Sequence, residues 1–171
     1  MVLIRHRVLT LLLVLLPATA LAGPPGRVVS INLCTDQLLL MLGEKRQIAS
    51  VSHLALEPNS SYMADEAGQY PVNHAKAEEI LALKPDLVLA GAYTDRALLN
   101  LLEKLGYRVE QFPLSSGIED IRENVRRMAE LLGRQERGRE LLAQMDERLQ
   151  RVARQRPTSR PPAAFYQPNS Y

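Results

Sequence analysis

The chain has 171 residues, one cysteine and a formal net charge of +2. Arg5 and Arg7 carry that excess, so residues 23–171 are close to neutral and their charge gives no indication of nucleic-acid binding. A single cysteine excludes an intramolecular disulfide, and the length suffices for one hydrophobic core of ordinary size.

Residues 1–22 contain the three parts of a secretory signal peptide in the order that such peptides require. Basic residues 5–7 come first, the apolar run 8–16 follows, and Ala20-Leu21-Ala22 matches the small-x-small pattern of a cleavage site. The apolar run is shorter than the roughly 20 residues that a membrane-spanning helix needs. A buried N-terminal helix is the alternative interpretation. We therefore expect cleavage after Ala22 and export of residues 23–171.

Residues 23–117 alternate between segments with the pattern of strands and segments with the pattern of helices. Runs of apolar and β-branched residues predict strands at 27–31, 48–52, 87–90 and 109–112. Helical periodicity and end signals predict helices at 36–42, 75–83 and 95–105. Thr35 is the expected cap of the first helix, and residues 53–70 are irregular, with room for one helical turn. This alternation predicts an α/β fold, an N-terminal lobe with a parallel sheet flanked by helices.

Residues 118–156 have the pattern of a long amphipathic helix. Its apolar residues recur at steps of three and four, as Ile118, Ile121, Val125 and Met128, and then as Leu141, Met145, Leu149 and Val152. Gly133 and Gly138 weaken the middle, so one bent helix and two helices are both compatible with the pattern. Residues 157–171 combine a proline-rich linker with the apparent start of a second domain, a strand that begins at 163.

Four segments carry a resemblance to a known family. Ala77–Val88, which reads AEEILALKPDLV, resembles a signature of the periplasmic binding proteins for iron complexes and cobalamin. Arg27–Ser30 resembles the first strand of that family, and residues 118–156 resemble the long helix that joins its two lobes. Gln167–Tyr171 resembles the start of the second lobe. The order of the predicted elements agrees with the same family.

This resemblance implies the substrate-binding component of an ABC importer. Such a protein captures a ferric siderophore, haem or a cobalamin-type ligand in the periplasm and delivers it to a membrane permease and its ATPase. The family binds its ligand between two lobes of similar size, and we expect this chain to contain essentially only the first lobe, which forms one wall of the cleft. We also expect a monomer with no cofactor of its own and no catalytic residues. A bare transition-metal ion is the alternative ligand for the same fold.

Ligand sites in parallel sheets lie beyond the carboxyl ends of the strands. The loops expected at that edge supply the candidate ligand-binding residues Asn32, Cys34, Asp36, His53, Tyr62, His74 and Tyr93. Tyrosine offers an apolar ring and a hydroxyl, and both tyrosine and histidine can ligate haem iron. Tyr93 is favoured because its loop directly follows a strongly predicted strand. Each of these residues also has an ordinary structural interpretation, as a packing residue or, for Asp36, as the first residue of a helix.

Cys34, His53 and His74 could together bind a soft or borderline metal, but their spacing matches no known metal motif. A thiol enzyme that uses Cys34 with one of these histidines as its base is the remaining catalytic alternative. The sequence has no glycine-rich nucleotide motif, no phosphate loop and no Gly-x-Ser-x-Gly elbow. We therefore expect a binding protein rather than an enzyme.

Asp95 is a candidate for docking onto the permease. The resemblance implies an acidic residue at this position that binds permease arginines, and this chain has Asp where Glu is common, which shortens the side chain by one methylene. Asp95 is also a suitable cap for the helix that follows it. The two roles are compatible.

Overall fold

A computed structural model describes residues 23–155, together with Pro162 and Ala164. The expected signal peptide at 1–22 and the strand expected at 163–166 lie outside the described residues, apart from Ala164. The sheet has five parallel strands in the order β3-β2-β1-β4-β5. These strands are β1 (Val28–Ser30), β2 (Ile48–Ser52), β3 (Val72–Asn73), β4 (Leu87–Gly91) and β5 (Val109–Phe112).

Six α-helices connect and cover these strands in the described part of the chain. They are α1 (Leu33–Leu42), α2 (Ala64–Ala67), α3 (Ala77–Ala82), α4 (Arg96–Lys104), α5 (Ile118–Leu131) and α6 (Gln135–Arg154). Short 3₁₀ helices occupy Lys45–Gln47 and His53–Leu56. None of the helices in residues 23–155 is both long and apolar enough to cross a membrane.

The predicted fold class, an α/β lobe with a parallel sheet flanked by helices, is confirmed. Two local expectations need correction. Strand β3 was not predicted, because its two residues are too few to show the alternation of apolar and polar side chains that marks a strand. Helix α1 begins earlier than expected: Asn32 caps it by accepting a hydrogen bond from the Cys34 N–H, while the expected cap, Thr35, lies inside the helix. The hydroxyl of Thr35 is buried against that of Ser30, 2.8 Å away.

The central strands pack against helices on both faces of the sheet. Successive side chains of a strand point to opposite faces, so Val28, Leu87 and Leu89 belong to one core with residues of α1 and α5. Val29 and Val88 belong to the other core, with residues of α3 and α4. Burial on both faces explains why these strands read as continuous apolar runs rather than as alternating patterns.

Residues 118–154 form two antiparallel helices rather than one long helix, which answers the question that the sequence left open. Helix α5 ends next to Gly133, whose φ of +68° is a left-handed conformation typical of helix ends. Helix α6 then turns back along α5, and Arg122 forms an ion pair with Asp146. The two helices approach closely at Gly138, where a Cβ would lie 2.6 Å from the Cβ of Ala129.

The side chain of Asp36 does not reach the protein surface. Its side chain is fully buried between α1 and β2, where its carboxylate accepts hydrogen bonds from the backbone N–H and the hydroxyl of Ser52. Burial raises the pKa of this carboxyl above its ordinary value, although hydrogen bonds from the hydroxyls of Ser30 and Ser52 act in the opposite direction. Asp36 therefore ties helix α1 to the end of strand β2, and its expected role as a ligand contact is corrected to a structural one.

We expect Asp36→Asn to gain stability relative to the natural chain as the pH rises. Since the pKa of Asp36 is higher in the folded than in the unfolded chain, ionisation of this carboxyl destabilises the fold, and an amide does not ionise. The measured quantity is the Tm of the variant minus the Tm of the natural chain. We expect this difference to increase by a few degrees between a pH below 3.8 and neutral pH. A difference that is constant, or that moves the other way, contradicts this assignment.

Candidate ligand-binding site

A groove of about 460 Å³ lies beyond the carboxyl ends of β1, β4 and β5. Asn32, Gly91 and Phe112, which follow or end these three strands, form its floor, and helices α1 and α5 contribute its sides. This volume falls within the range of small-molecule sites. The groove therefore lies at the edge where parallel sheets of this kind bind their ligands.

Two tyrosines stand at this groove with their side chains almost entirely in solvent. Tyr62 is 85% exposed and Tyr93 is 84% exposed. Leu114 and Ile121, which also line the groove, are exposed too. Single exposed apolar residues are ordinary, but four that share one concave surface form the kind of patch that marks a binding site.

Helix α1 presents one face to the groove, and Cys34 is the one residue of this face that the sequence analysis proposed. Cys34, Gln37, Leu38 and Met41 line the groove, and their spacing of three and four residues places them on one side of the helix. The helical period was visible in the sequence. The direction of this face was not, because it depends on the contact of α1 with α5 and the sheet.

Two glutamines hold the loops that carry the tyrosines. The side-chain oxygen of Gln37 accepts a hydrogen bond of 2.9 Å from the backbone N–H of Tyr62. The side-chain nitrogen of Gln111 donates to the carbonyl of Gly91 at 3.0 Å, in the turn before Tyr93, and also contacts the next carbonyl at 3.4 Å. One glutamine thus acts as an acceptor and the other as a donor.

The far side of the groove is held by Asn124 of helix α5. Its side-chain nitrogen donates to the carbonyl of Pro113 at 3.3 Å and to the hydroxyl of Ser115 at 3.0 Å. Asn124 is buried and lies at the groove surface. These bonds fix the loop after β5, which carries Leu114 into the groove wall.

The structure brings together four of the seven candidate ligand-binding residues. Asn32, Cys34, Tyr62 and Tyr93 line the groove. His53 and His74 lie elsewhere, at the ends of β2 and β3, where their rings stack with centroids 5.1 Å apart. In addition, Nδ1 of His74 lies 3.3 Å from a carboxylate oxygen of Glu79.

The hypothesis of a shared metal site is not supported, because neither histidine lines the groove beside Cys34. Within the described part of the chain, no group of three or more His, Cys, Asp or Glu side chains is arranged to hold a metal ion. The thiol-enzyme alternative needs one of these two histidines as its base, and neither lines the groove with Cys34.

Asp95 caps helix α4, since its carboxylate accepts a hydrogen bond of 2.9 Å from the N–H of Leu98. Its side chain is exposed and lies outside the groove. The capping role is thus present, and the exposed position is compatible with the docking role that remains a prediction.

A family model for periplasmic binding proteins matches residues 28–170. The chain belongs to the periplasmic binding protein family. This family is periplasmic, and its members are substrate-binding components that work with ABC transporters. The match covers the sheet, the groove and both C-terminal helices.

Solved structures of periplasmic binding proteins share this fold. A heme-binding protein from Pseudomonas aeruginosa has a TM-score of 0.64 at 24% identity, covering 76% of this chain and 46% of that one. The vitamin B12 binding protein of Vibrio cholerae has a TM-score of 0.60 at 24% identity, covering 77% of this chain and 51% of that one. This chain therefore spans about half the length of these solved structures.

A curated relative, the cobalamin-binding protein of Halobacterium salinarum, is 27% identical over 137 residues. The alignment covers 80% of this chain and 37% of that protein. These named relatives are binding proteins rather than enzymes.

Gln37 accepts its hydrogen bond and Gln111 donates its own, so substitution by Glu should have different effects at the two positions. Glu at position 37 still accepts a hydrogen bond from the Tyr62 N–H, whereas Glu at position 111 loses its donor and places a carboxylate against two carbonyl oxygens. Gln37→Glu should leave amide hydrogen exchange of Tyr62 within about twofold, and Gln37→Leu should accelerate it about tenfold. Gln111→Glu should accelerate exchange of Thr94, whose N–H donates to the Gly91 carbonyl, by a similar factor.

Exchange of the Val88 amide in the central sheet is the internal control, because it should be unchanged in all three variants. Equal effects of Glu at the two positions contradict the assigned hydrogen bonds.

Proposed function

We propose that this chain supplies one wall of the ligand cleft of a periplasmic substrate-binding protein. The ligand is a metal chelate of the ferric-siderophore, haem or cobalamin type, which the protein delivers to an ABC permease and its ATPase. The observation that carries this proposal is the groove at the carboxyl ends of the strands, with Tyr62 and Tyr93 exposed on it.

The chemistry of the groove suits a large ligand with apolar surfaces. Burial of exposed aromatic rings under a flat or globular ligand contributes favourably to the free energy of binding. Because their loops are already held in place, little conformational entropy is lost when the ligand binds. The glutamine hydrogen bonds supply that constraint on both tyrosine loops. The relatives, which are heme-binding, vitamin B12 binding and cobalamin-binding proteins, support the same ligand classes.

Ligand affinity should depend on the two tyrosine rings. We expect Tyr93→Ala and Tyr62→Ala each to weaken binding of the preferred ligand about tenfold, through the loss of ring contact. Titration of the full chain with haemin, cyanocobalamin and a ferric siderophore, followed by ligand absorbance or calorimetry, measures this. Tyr→Phe at the same positions separates the ring from the hydroxyl: unchanged affinity assigns a packing role, and a loss as large as that of Ala assigns a polar or ligating role.

His53→Ala is the matched control, since it removes an exposed ring outside the groove and should leave affinity unchanged. If none of the three ligand classes binds, or if both tyrosine variants bind as well as the natural chain, the proposed site is wrong.

Asp95 is the residue that we propose for docking to the permease. Asn at this position retains an acceptor for the Leu98 N–H and so keeps the helix cap, but it removes the charge. Asp95→Asn and Asp95→Lys should therefore both reduce ligand-stimulated ATPase activity of the importer reconstituted in vesicles, with Lys the stronger. Asp95→Asn should leave the Tm within about 1 °C. Full stimulation by the Lys variant would remove Asp95 from the interface.

A further inference from the structure

We infer that this wall of the groove selects an uncharged ligand face that bears hydrogen-bonding groups such as carboxamides, and that it disfavours an anionic chelate. The inference rests on the proposed function and narrows its ligand class. It follows from the chemistry of the groove surface rather than from its shape.

None of the side chains that line the groove in the described part of the chain is charged. Apart from the thiol of Cys34, its polar surface consists of amides and hydroxyls: Asn32, Gln37, Tyr62, Tyr93, Ser115 and Asn124. Thr35 also lines the groove, but its hydroxyl is buried against that of Ser30. The remaining lining is apolar or backbone. A site that expects a carboxylate or a tris-catecholate usually presents arginine or lysine to it, because a buried anion needs a compensating charge.

Three charged residues on neighbouring elements, Arg122, Arg127 and Asp120, already have partners within the chain. Arg122 of helix α5 pairs with Asp146, and Arg127 pairs with Glu110 while its guanidinium packs over Phe112. Asp120 accepts hydrogen bonds from the N–H groups of Ser116 and Gly117. Both arginines are therefore already paired with carboxylates of the chain.

Arg96, at the first turn of helix α4, is the cation to consider near the groove rim. It lines a separate hollow together with Ala92, Phe112 and Pro113. These three residues also line the groove, whereas Arg96 does not.

The amides in the groove offer donors of the kind that an uncharged ligand can use. The side-chain oxygen of Asn32 accepts from the Cys34 N–H, and that of Gln37 accepts from the Tyr62 N–H. Each amide keeps an NH₂ group, and among the described residues neither group donates a hydrogen bond within the chain. Two amide donors beside exposed aromatic rings complement a ligand edge that carries carboxamide or hydroxamate oxygens.

The test compares ligands that differ in charge but little in shape. The first pair is cyanocobalamin and a derivative in which one peripheral carboxamide is a carboxylate. The second pair is haemin dimethyl ester and haemin, and the third is a neutral ferric trihydroxamate and an anionic ferric tris-catecholate. In each pair that binds to the full chain, we expect the less charged member to bind about tenfold tighter or more.

A lysine placed in the groove should narrow this selectivity. Leu114→Lys introduces a cation on the groove wall and should raise affinity for the charged member of a pair about fivefold, without raising affinity for its neutral partner. Leu105→Lys is the matched control for net charge. Leu105 is 53% exposed, as against 54% for Leu114, and it lies outside the groove.

The outcomes separate this inference from the proposed function. A preference for the less charged members, reversed or narrowed by Leu114→Lys and not by Leu105→Lys, supports both. Equal or tighter binding of the charged members overturns the inference while the proposed function stands. If no member of any pair binds, the proposed function fails and the inference falls with it.

Discussion

Strands β1 and β4 are buried on both faces, so each of their side chains must find a helix to pack against whichever way it points. That requirement places α1 and α5 on one face of the sheet and α3 and α4 on the other. Because all five strands are parallel, their carboxyl ends meet at one edge. The loops that leave β1, β4 and β5 at this edge have no freedom to lie elsewhere, and they build the groove.

The groove combines rigid backbone with exposed aromatic rings. Hydrogen bonds that Gln37 accepts and that Gln111 and Asn124 donate hold three of the surrounding loops, whereas the side chains of Tyr62 and Tyr93 remain in solvent. These polar side chains thus mainly form hydrogen bonds within the protein, and the surface that remains for a ligand carries no charged side chain. A wall of this kind contributes contact area and hydrogen bonds, and it leaves any charge on the ligand to be balanced elsewhere.

Part of the site could be predicted because position relative to a strand is visible in the sequence. Asn32, Cys34 and Tyr93 follow strands whose apolar runs are unmistakable, and they line the groove with Tyr62. Asp36 could not be excluded, since only the contact of α1 with β2 shows that its carboxylate faces Ser52. His53 and His74, which directly follow β2 and β3, do not line the groove for a related reason: the order of strands in the sheet places β2 and β3 on the side away from β4 and β5.

The sequence by itself determined the fold class, the alternation of elements and the family resemblance, because burial on two faces and helical periodicity leave local patterns. Only the tertiary structure decided that residues 118–156 contain two antiparallel helices and that one face of α1 lines the groove. It alone showed that every side chain lining the groove in residues 23–155 is uncharged. These features depend on contacts between residues far apart in the chain, and such contacts have no signature in local spacing.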